Sequence, residues 1–109
     1  MIYVEGWDGN EAISLSVNDA EVYITGYRKD EFGWLIGYKD GKRIRPAGIL
    51  ELGVGSIERK SAWPILSKMK TKENKEFVFV EPALRCKVKF REWTKVGLMR
   101  LPVFDEFVL

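Results

Sequence analysis

A run of basic residues that alternates with apolar ones is the part of this sequence best suited to chemistry. From 84 to 91 the even positions are apolar, and the odd positions carry the basic ladder, Arg85, Lys87, Lys89 and Arg91. Successive side chains of a strand point to opposite faces, so the pattern predicts one core face and one row of cations spaced roughly 6.6 Å apart. Trp93 and Lys95 continue the odd positions. Such a row suits a nucleic-acid backbone, with cations on phosphates and an aromatic ring against a sugar or base.

The same row of cations has a second interpretation. Four cations in sequence repel one another unless acids lie across the sheet or an anion binds. Nucleic-acid contact and cross-strand neutralisation therefore both stay open, and we favour the first. Cys86 faces the core by the same alternation, which predicts a small buried apolar side chain.

A second basic cluster surrounds a predicted turn at 39–42. Its members are Lys39, Lys42, Arg43 and Arg45, and Arg28 and Lys29 at the end of an earlier strand are candidates to extend it. Lysine at a turn is common on solvated surfaces, so the cluster alone does not distinguish nucleic-acid contact from a solvated turn. We expect Phe32 and Trp34 to be core residues rather than platforms for a ligand.

The net charge of +2 conceals an uneven distribution, because all 18 basic residues lie between Arg28 and Arg100. Residues 1–26 contain acids and no base. The chain has no His and one Cys, which excludes His-based triads, zinc chemistry and an internal disulfide within these 109 residues. No apolar run reaches the roughly 20 residues that span a bilayer, and the start lacks a signal-peptide pattern, so we expect no membrane association.

The elements that must position these cations are mostly strands. Their β-branched and aromatic composition predicts strands at 21–27, 34–38, 44–52, 84–93 and 99–107, with a short apolar segment at 77–80 closed by Glu81 and Pro82. A helix is predicted from 56 to about 70, with Ser56 as its N-cap and a kink or restart near Trp63 because Pro64 lies inside it. A polar loop is predicted at 71–75.

This order of elements indicates a fold. A helix between the third and fourth of five strands is typical of the oligonucleotide/oligosaccharide-binding (OB) barrel, whereas an SH3-like barrel normally lacks the helix. The predicted fold is therefore all-β with one helix, as a five-stranded OB barrel. Residues 2–17 are a candidate for an extra N-terminal hairpin around 7–10.

Three blocks of the sequence together resemble the C-terminal OB domain of bacterial and phage-type ATP-dependent DNA ligases. The first block is 21–53, the second is 81–94 with its E-P and E-W-T groups, and the third is 97–104 with R-x-P-x-F. The resemblance covers about residues 19–107. We therefore expect an OB domain over 19–109, preceded by a lead, 1–18, that does not match the family.

The resemblance implies a division of labour. A separate nucleotidyltransferase domain carries the lysine that becomes adenylylated, and the OB domain closes on it and then grips nicked duplex DNA through its phosphates and minor groove. This chain is thus expected to be non-catalytic alone and to bind no cofactor by itself, while ATP and Mg²⁺ are implied for the full-length ligase. The implied setting is nick sealing in DNA repair, recombination or replication, by a monomer in the cytoplasm at the nucleoid.

By match, Arg100, Pro102 and Phe104 occupy the closing motif, whose basic residue in relatives helps to orient the ATP phosphates. Two departures concern the ends of the domain, since no Lys lies at 11–20 and the R-x-D-K ending of many relatives is missing. They weaken the expected role in adenylylation more than the expected DNA contact.

The candidate DNA-binding residues are Arg28, Lys29, Lys42, Arg43, Arg45, Arg85, Lys87, Lys89, Arg91, Trp93 and Lys95, and Arg100 is the candidate for ATP phosphates. Two other functions stay open. One is a free-standing OB module for single-stranded nucleic acid, which would depend on stacking at Trp93. The other is a protein-interaction module whose basic face docks an acidic partner.

Overall fold

A computed structural model of the protein describes residues 18–108. Its elements, in chain order, are β1 (Asn18–Arg28), β2 (Trp34–Asp40), β3 (Arg43–Leu50), α1 (Ser56–Lys68), β4 (Lys70–Glu73), β5 (Phe77–Phe90) and β6 (Val103–Val108). The strands pair antiparallel in the order β3-β2-β1-β5-β4, and β6 pairs with the second half of β5. The predicted hairpin around 7–10 lies outside the described residues.

A short parallel contact closes the curled sheet into a barrel. Leu52, just after β3, forms a parallel bridge with Val103 at the start of β6. The amide of Phe104 donates a hydrogen bond to the carbonyl of Leu52 at 2.9 Å. The barrel strands are thus β1, β2, β3, β5 and β6, with α1 between the third and the fourth, which confirms the predicted OB fold. β4 is an additional short strand on the edge of β5.

β5 is one strand of 14 residues, so the prediction that Glu81 and Pro82 end a separate short segment was wrong. The reason is a bulge. β1 pairs Ile24 with Leu84 but Gly26 with Phe79, which leaves 80–83 outside the β1–β5 ladder. The missing N–H of Pro82 therefore leaves no ladder bond unmade. The polar loop predicted at 71–75 is also partly wrong, because β4 pairs with Val78–Val80 there.

α1 packs on the barrel core through Ala62 and Leu66, which are buried. Ile65 and the C-cap residue Met69 lie three residues after Ala62 and Leu66 and stay 39% and 36% exposed. Gly55, not Ser56, holds the N-cap position. The helix continues through Pro64, so the predicted restart near Trp63 does not occur.

The core confirms the alternation along β5. Cys86, Val88 and Phe90 are buried, while the ladder side chains face outward. Trp34 is 3% exposed, and its ring meets those of Phe32 and Phe104 edge-on, so it is a core residue as predicted. Burial raises the pKa of the Cys86 thiol to about 12, which keeps it protonated and makes it an inert apolar filler.

Candidate nucleic-acid interface

Three cations of the basic ladder have acidic partners on neighbouring strands. Lys89 Nζ lies 2.8 Å from Asp19 Oδ1 and Arg85 Nη1 lies 3.0 Å from Glu21 Oε1, both on β1, and Lys87 Nζ lies 3.6 Å from Glu106 Oε2 on β6. Cross-strand neutralisation, the alternative that the sequence left open, is thus present along most of the ladder. These pairs are half-exposed, and exposed pairs contribute only about 0–1 kcal/mol each, so a phosphate can replace an acid at modest cost.

Strand register explains why these acids meet these bases. In the β1–β5 ladder Asp19 lies directly opposite Lys89, and Glu21 lies opposite Lys87, one diagonal step from Arg85. Opposite charges at such positions stabilise a pair of strands, whereas like charges destabilise it. The hydrogen bond from Lys89 to Asp19 raises the pKa of the lysine, so the ammonium stays charged.

Trp93 and Arg45 come together where the chain leaves β5. The Trp93 ring centre lies 5.0 Å from those of Tyr38 and Phe90, edge-on in both cases. The Arg45 guanidinium lies 4.8 Å from the Trp93 ring centre and 5.4 Å from that of Tyr38. It also donates a hydrogen bond to the carbonyl of Gly97. Arg45 therefore holds the 91–102 loop against β3 and is not a free cation.

The 91–102 loop is folded rather than open. Trp93 forms an antiparallel bridge with Met99, and the amide of Thr94 donates to the carbonyl of Leu98 at 2.7 Å. Arg100 is exposed and its Nε lies 3.2 Å from Glu92 Oε2. The loop thus presents Arg91 and Lys95 from a fixed backbone, and both side chains are exposed.

The turn between β2 and β3 lies at the same end of the barrel as this loop, because Arg45 on β3 contacts both Trp93 and Gly97. Five exposed cations that have no ion pair within residues 18–108 lie on this turn and loop or beside them: Lys39, Lys42, Arg43, Arg91 and Lys95. Four of these are named above as candidate DNA-binding residues, and we term them the basic mouth: Lys42, Arg43, Arg91 and Lys95.

Arg28 and Lys29 do not join the β2–β3 turn, contrary to the suggestion that they extend its cluster. They lie at the end of β1 that pairs with Trp34, the first residue of β2. The β2–β3 turn follows Asp40, the last residue of β2, which lies six residues or roughly 20 Å from Trp34. Arg28 binds Glu31 and Glu51, and the hydrogen bond to Glu51 raises the pKa of its guanidinium. Lys29 pairs with Glu73. Both are engaged locally in ion pairs.

An apolar groove of about 510 Å³ crosses the outer face of the sheet, and sequence reasoning missed it. Its lining is Thr25, Leu35, Ile36, Gly37, Ile44, Pro46, Gly48, Asn74, Phe77 and Phe79. A signal for it was present. The F-V-F-V run at 77–80 is apolar on both faces, which indicates a strand covered on both sides or exposing an apolar outer face.

The described residues, Asn18 to Val108, contain neither a candidate metal cluster nor a candidate membrane helix. In this span no group of three or more Cys, Asp or Glu side chains is placed to hold a metal ion. No helix there is long and apolar enough to cross a membrane.

Comparison with known proteins gives the family. Residues 25–107 match a family described as "ATP dependent DNA ligase C terminal region". Over 87 residues the chain is 39% identical to the SPbeta prophage-derived DNA ligase-like protein LigB of Bacillus subtilis (strain 168), which covers 80% of this chain and 30% of that protein.

Two solved structures are similar in fold, the ligase domain of M. tuberculosis LigD and a mycobacterial DNA ligase D complexed with ATP and MES. Each has a TM-score of 0.70 and 25% sequence identity, over 84% of this chain and 34% of the other. The chain thus spans about a third of the length of these relatives. Since the family match covers most of a chain that also forms the expected OB barrel, this protein belongs to the C-terminal domains of ATP-dependent DNA ligases.

Proposed function

We propose that this chain is the DNA-gripping part of an ATP-dependent ligase, which binds nicked duplex and assists a separate nucleotidyltransferase domain. The observation that carries the proposal is the basic mouth, where four exposed cations without ion pairs in residues 18–108 share one end of a ligase-family barrel. Exposed Lys and Arg that meet phosphates release counterions from DNA, and this release supplies most of the sequence-independent affinity. The nick-sealing role in repair, recombination or replication, by a cytoplasmic monomer, belongs to the same proposal.

The basic ladder contributes less to this grip than its number of cations suggests. Each phosphate that binds Lys87 or Lys89 must displace Glu106 or Asp19. The displaced carboxylate then attracts a cation from solution, which offsets part of the counterion release. No acid in residues 18–108 forms an ion pair with a mouth cation, so a phosphate that binds there displaces no carboxylate from these residues.

ATP and Mg²⁺ belong to the proposed whole ligase, and the fit of this chain to each differs. Arg100 keeps its proposed role toward the ATP phosphates from its place in the closing motif. Its side chain is 57% exposed and its Nε lies 3.2 Å from Glu92 Oε2, so a phosphate that binds it would displace or share this carboxylate. ATP itself supplies the adenylyl group. No acidic cluster in residues 18–108 fits Mg²⁺, so we place no metal chemistry in this part of the chain.

Titration of a labelled nicked duplex with the 109-residue protein tests the proposal. We expect binding that weakens steeply as salt rises from 50 to 200 mM, because phosphate contacts dominate. An intact duplex and a single strand of equal length serve as comparisons. Absence of duplex binding at the lower salt concentration would overturn the proposal.

The single-strand alternative depends on stacking at Trp93. That ring is 38% exposed, and the Arg45 guanidinium lies 4.8 Å from its centre, so a base that stacks on the ring would have to use the area that Arg45, Tyr38 and Phe90 leave open. If a Trp93→Ala variant still binds single strands, that binding does not depend on stacking at Trp93.

A further inference from the structure

A small aromatic pocket lies between α1 and the end of β1, lined by Tyr27, Phe32, Trp34, Arg59, Trp63 and Leu66 among others. We infer that it binds an acidic linear segment of a partner protein, with one Phe or Leu side chain in the pocket and its carboxylates at cations of α1. Tyr27 pairs with Trp34, the first residue of β2, whereas the basic mouth adjoins the other end of β2, roughly 20 Å away. The site is thus separate from the mouth and does not depend on the duplex contact proposed above.

The pocket has the size of one side chain. Its volume is about 170 Å³, and an apolar cavity of about 150 Å³ is large enough for benzene. Trp34 and Leu66 line it from the core, where they are 3% and 2% exposed. A Phe or Leu side chain therefore suits it in both volume and polarity.

Trp63 forms an open wall of the pocket. Its side chain is 53% exposed, and its ring centre lies 5.3 Å from that of Tyr27, edge-on. An exposed apolar surface with a polar rim is typical of an interaction site. Trp, Tyr and Arg are also the residue types that most often dominate the binding energy of protein interfaces, and all three types line this pocket.

Two cations of α1 make one side of the pocket basic. Arg59 and Lys60 lie four and three residues before Trp63, so they are its neighbours on the helix surface. Both are exposed, and neither forms an ion pair with any residue between Asn18 and Val108. Arg59 Nε donates to the carbonyl of Val54 at 3.2 Å, and its guanidinium lies 3.8 Å from the ring centre of Phe32. A carboxylate beside the anchoring side chain would therefore meet a guanidinium that is already positioned.

The β1 side of the pocket carries acids, which favours a peptide over nucleic acid. Arg28 lines this side and binds Glu31 and Glu51, which are both exposed. A nucleic-acid backbone that crosses the pocket would bring phosphates close to these two carboxylates, and such like-charge contacts are costly. A peptide can instead place its acids on the α1 side alone.

Fluorescence anisotropy with the 109-residue protein and a labelled synthetic peptide, G-D-E-D-F-D-E-D-G, tests the inference. A second peptide of equal charge, with Ser in place of Phe, should bind at least about tenfold more weakly because no aromatic side chain is buried. Trp63→Ala should weaken binding of the Phe peptide about tenfold. Lys60→Ala should weaken it about two- to fivefold and reduce its salt dependence, because an exposed charge pair is lost.

The matched controls lie on the same helix but outside the pocket. Ile57→Ala removes an apolar side chain that is 74% exposed, and Lys68→Ala removes an exposed lysine. Both variants should bind the Phe peptide like the parent protein, and circular dichroism verifies that Trp63→Ala is folded.

Four results would overturn the inference. The first is equal affinity for the Phe and Ser peptides, and the second is unchanged affinity in both Trp63→Ala and Lys60→Ala. The third is displacement of the Phe peptide by nicked duplex, which would locate the peptide at the basic mouth. The fourth is a different occupant, shown by a dimer that Trp63→Ala dissociates or by a synthetic peptide of residues 1–17 that binds the pocket at least tenfold more tightly.

Discussion

Removal of two cations from the basic mouth should affect DNA binding more than removal of two cations from the ladder. We compare Lys42→Ala/Lys95→Ala with Lys87→Ala/Lys89→Ala, which change the net charge equally. The mouth pair is exposed and has no ion pair in residues 18–108, whereas each ladder lysine has an acidic partner at 2.8–3.6 Å. The difference between the two variants therefore measures the effect of ion pairing on DNA contact.

The magnitude follows from counterion release. Each phosphate contact contributes about 0.9 to the slope of log affinity against log salt, so the mouth variant should flatten this slope by about 1.8. Over a fourfold rise in salt, the parent protein should then lose roughly tenfold more affinity than the variant. The ladder variant should change the slope by less than about half as much, because the freed acids take up cations when DNA binds.

The assay is the anisotropy titration of nicked duplex at several salt concentrations, with thermal melts to verify folding. Lys89 and Lys87 make only exposed pairs, so the ladder variant should lose no more than about 1 kcal/mol of stability per pair. A ladder variant that flattens the slope by about 1.8, beside a mouth variant that leaves it unchanged, would refute the reasoning that ion pairing decides which cations bind DNA.

Three further predictions concern stability. Lys29 and Lys70 lower the pKa of Glu73 to about 2 from its usual 4.5, so its contribution is present above pH 4.5 and lost as pH falls through about 2. Urea unfolding at pH 6 and pH 3 should therefore show a smaller acid loss in Glu73→Gln than in the parent. Arg45→Ala should cost about 1–3 kcal/mol by releasing Trp93 and Gly97, and Arg45→Lys should restore only part of it, as urea unfolding will measure. Gly37→Ala should cost about 1–3 kcal/mol through its clash with Ile44, measured against Gly41→Ala, whose Cβ meets nothing within 4 Å and carries only the cost of its positive φ.

The fold was predictable because its signals are local. The alternation at 84–91 and the position of the helix depend on neighbouring residues in the chain, and the barrel confirms both. The failures arose where a distant strand decides. Pro82 is tolerated because β1 leaves 80–83 unpaired, and β4 forms because β5 offers it an edge. Neither partner is visible from the residues concerned.

The sequence identified the basic residues of the candidate site, but it could not show which of them have acidic partners. Asp19 and Glu21 alternate along β1 as the ladder does along β5, yet only the register shows that they face it. The sequence placed Arg45 among the free cations, and the structure places its guanidinium against two aromatic rings. The groove was missed because its lining comes from separate strands, with Gly37 on β2, Ile44 on β3 and Phe79 on β5, that only the sheet order brings together.

The positions of the acids divide the cations of this barrel into two groups. The ladder cations have acidic partners on neighbouring strands, and the mouth cations have no ion pair in residues 18–108. A strand with four cations is stable beside strands that supply acids at matching positions, and β1 and β6 do so. The basic mouth lies on the β2–β3 turn, at the first residue of β3 and on the 91–102 loop. The acid opposite Arg43 in the β2–β3 register is Asp40, and it pairs with Arg45 at 3.4 Å instead. Lys42, Arg43, Arg91 and Lys95 thus form no ion pair within residues 18–108, and we expect a bound polyanion to relieve the repulsion among them. We therefore expect DNA, if it binds as proposed, to contact the mouth more than the ladder, whose cations the acids of β1 and β6 already neutralise.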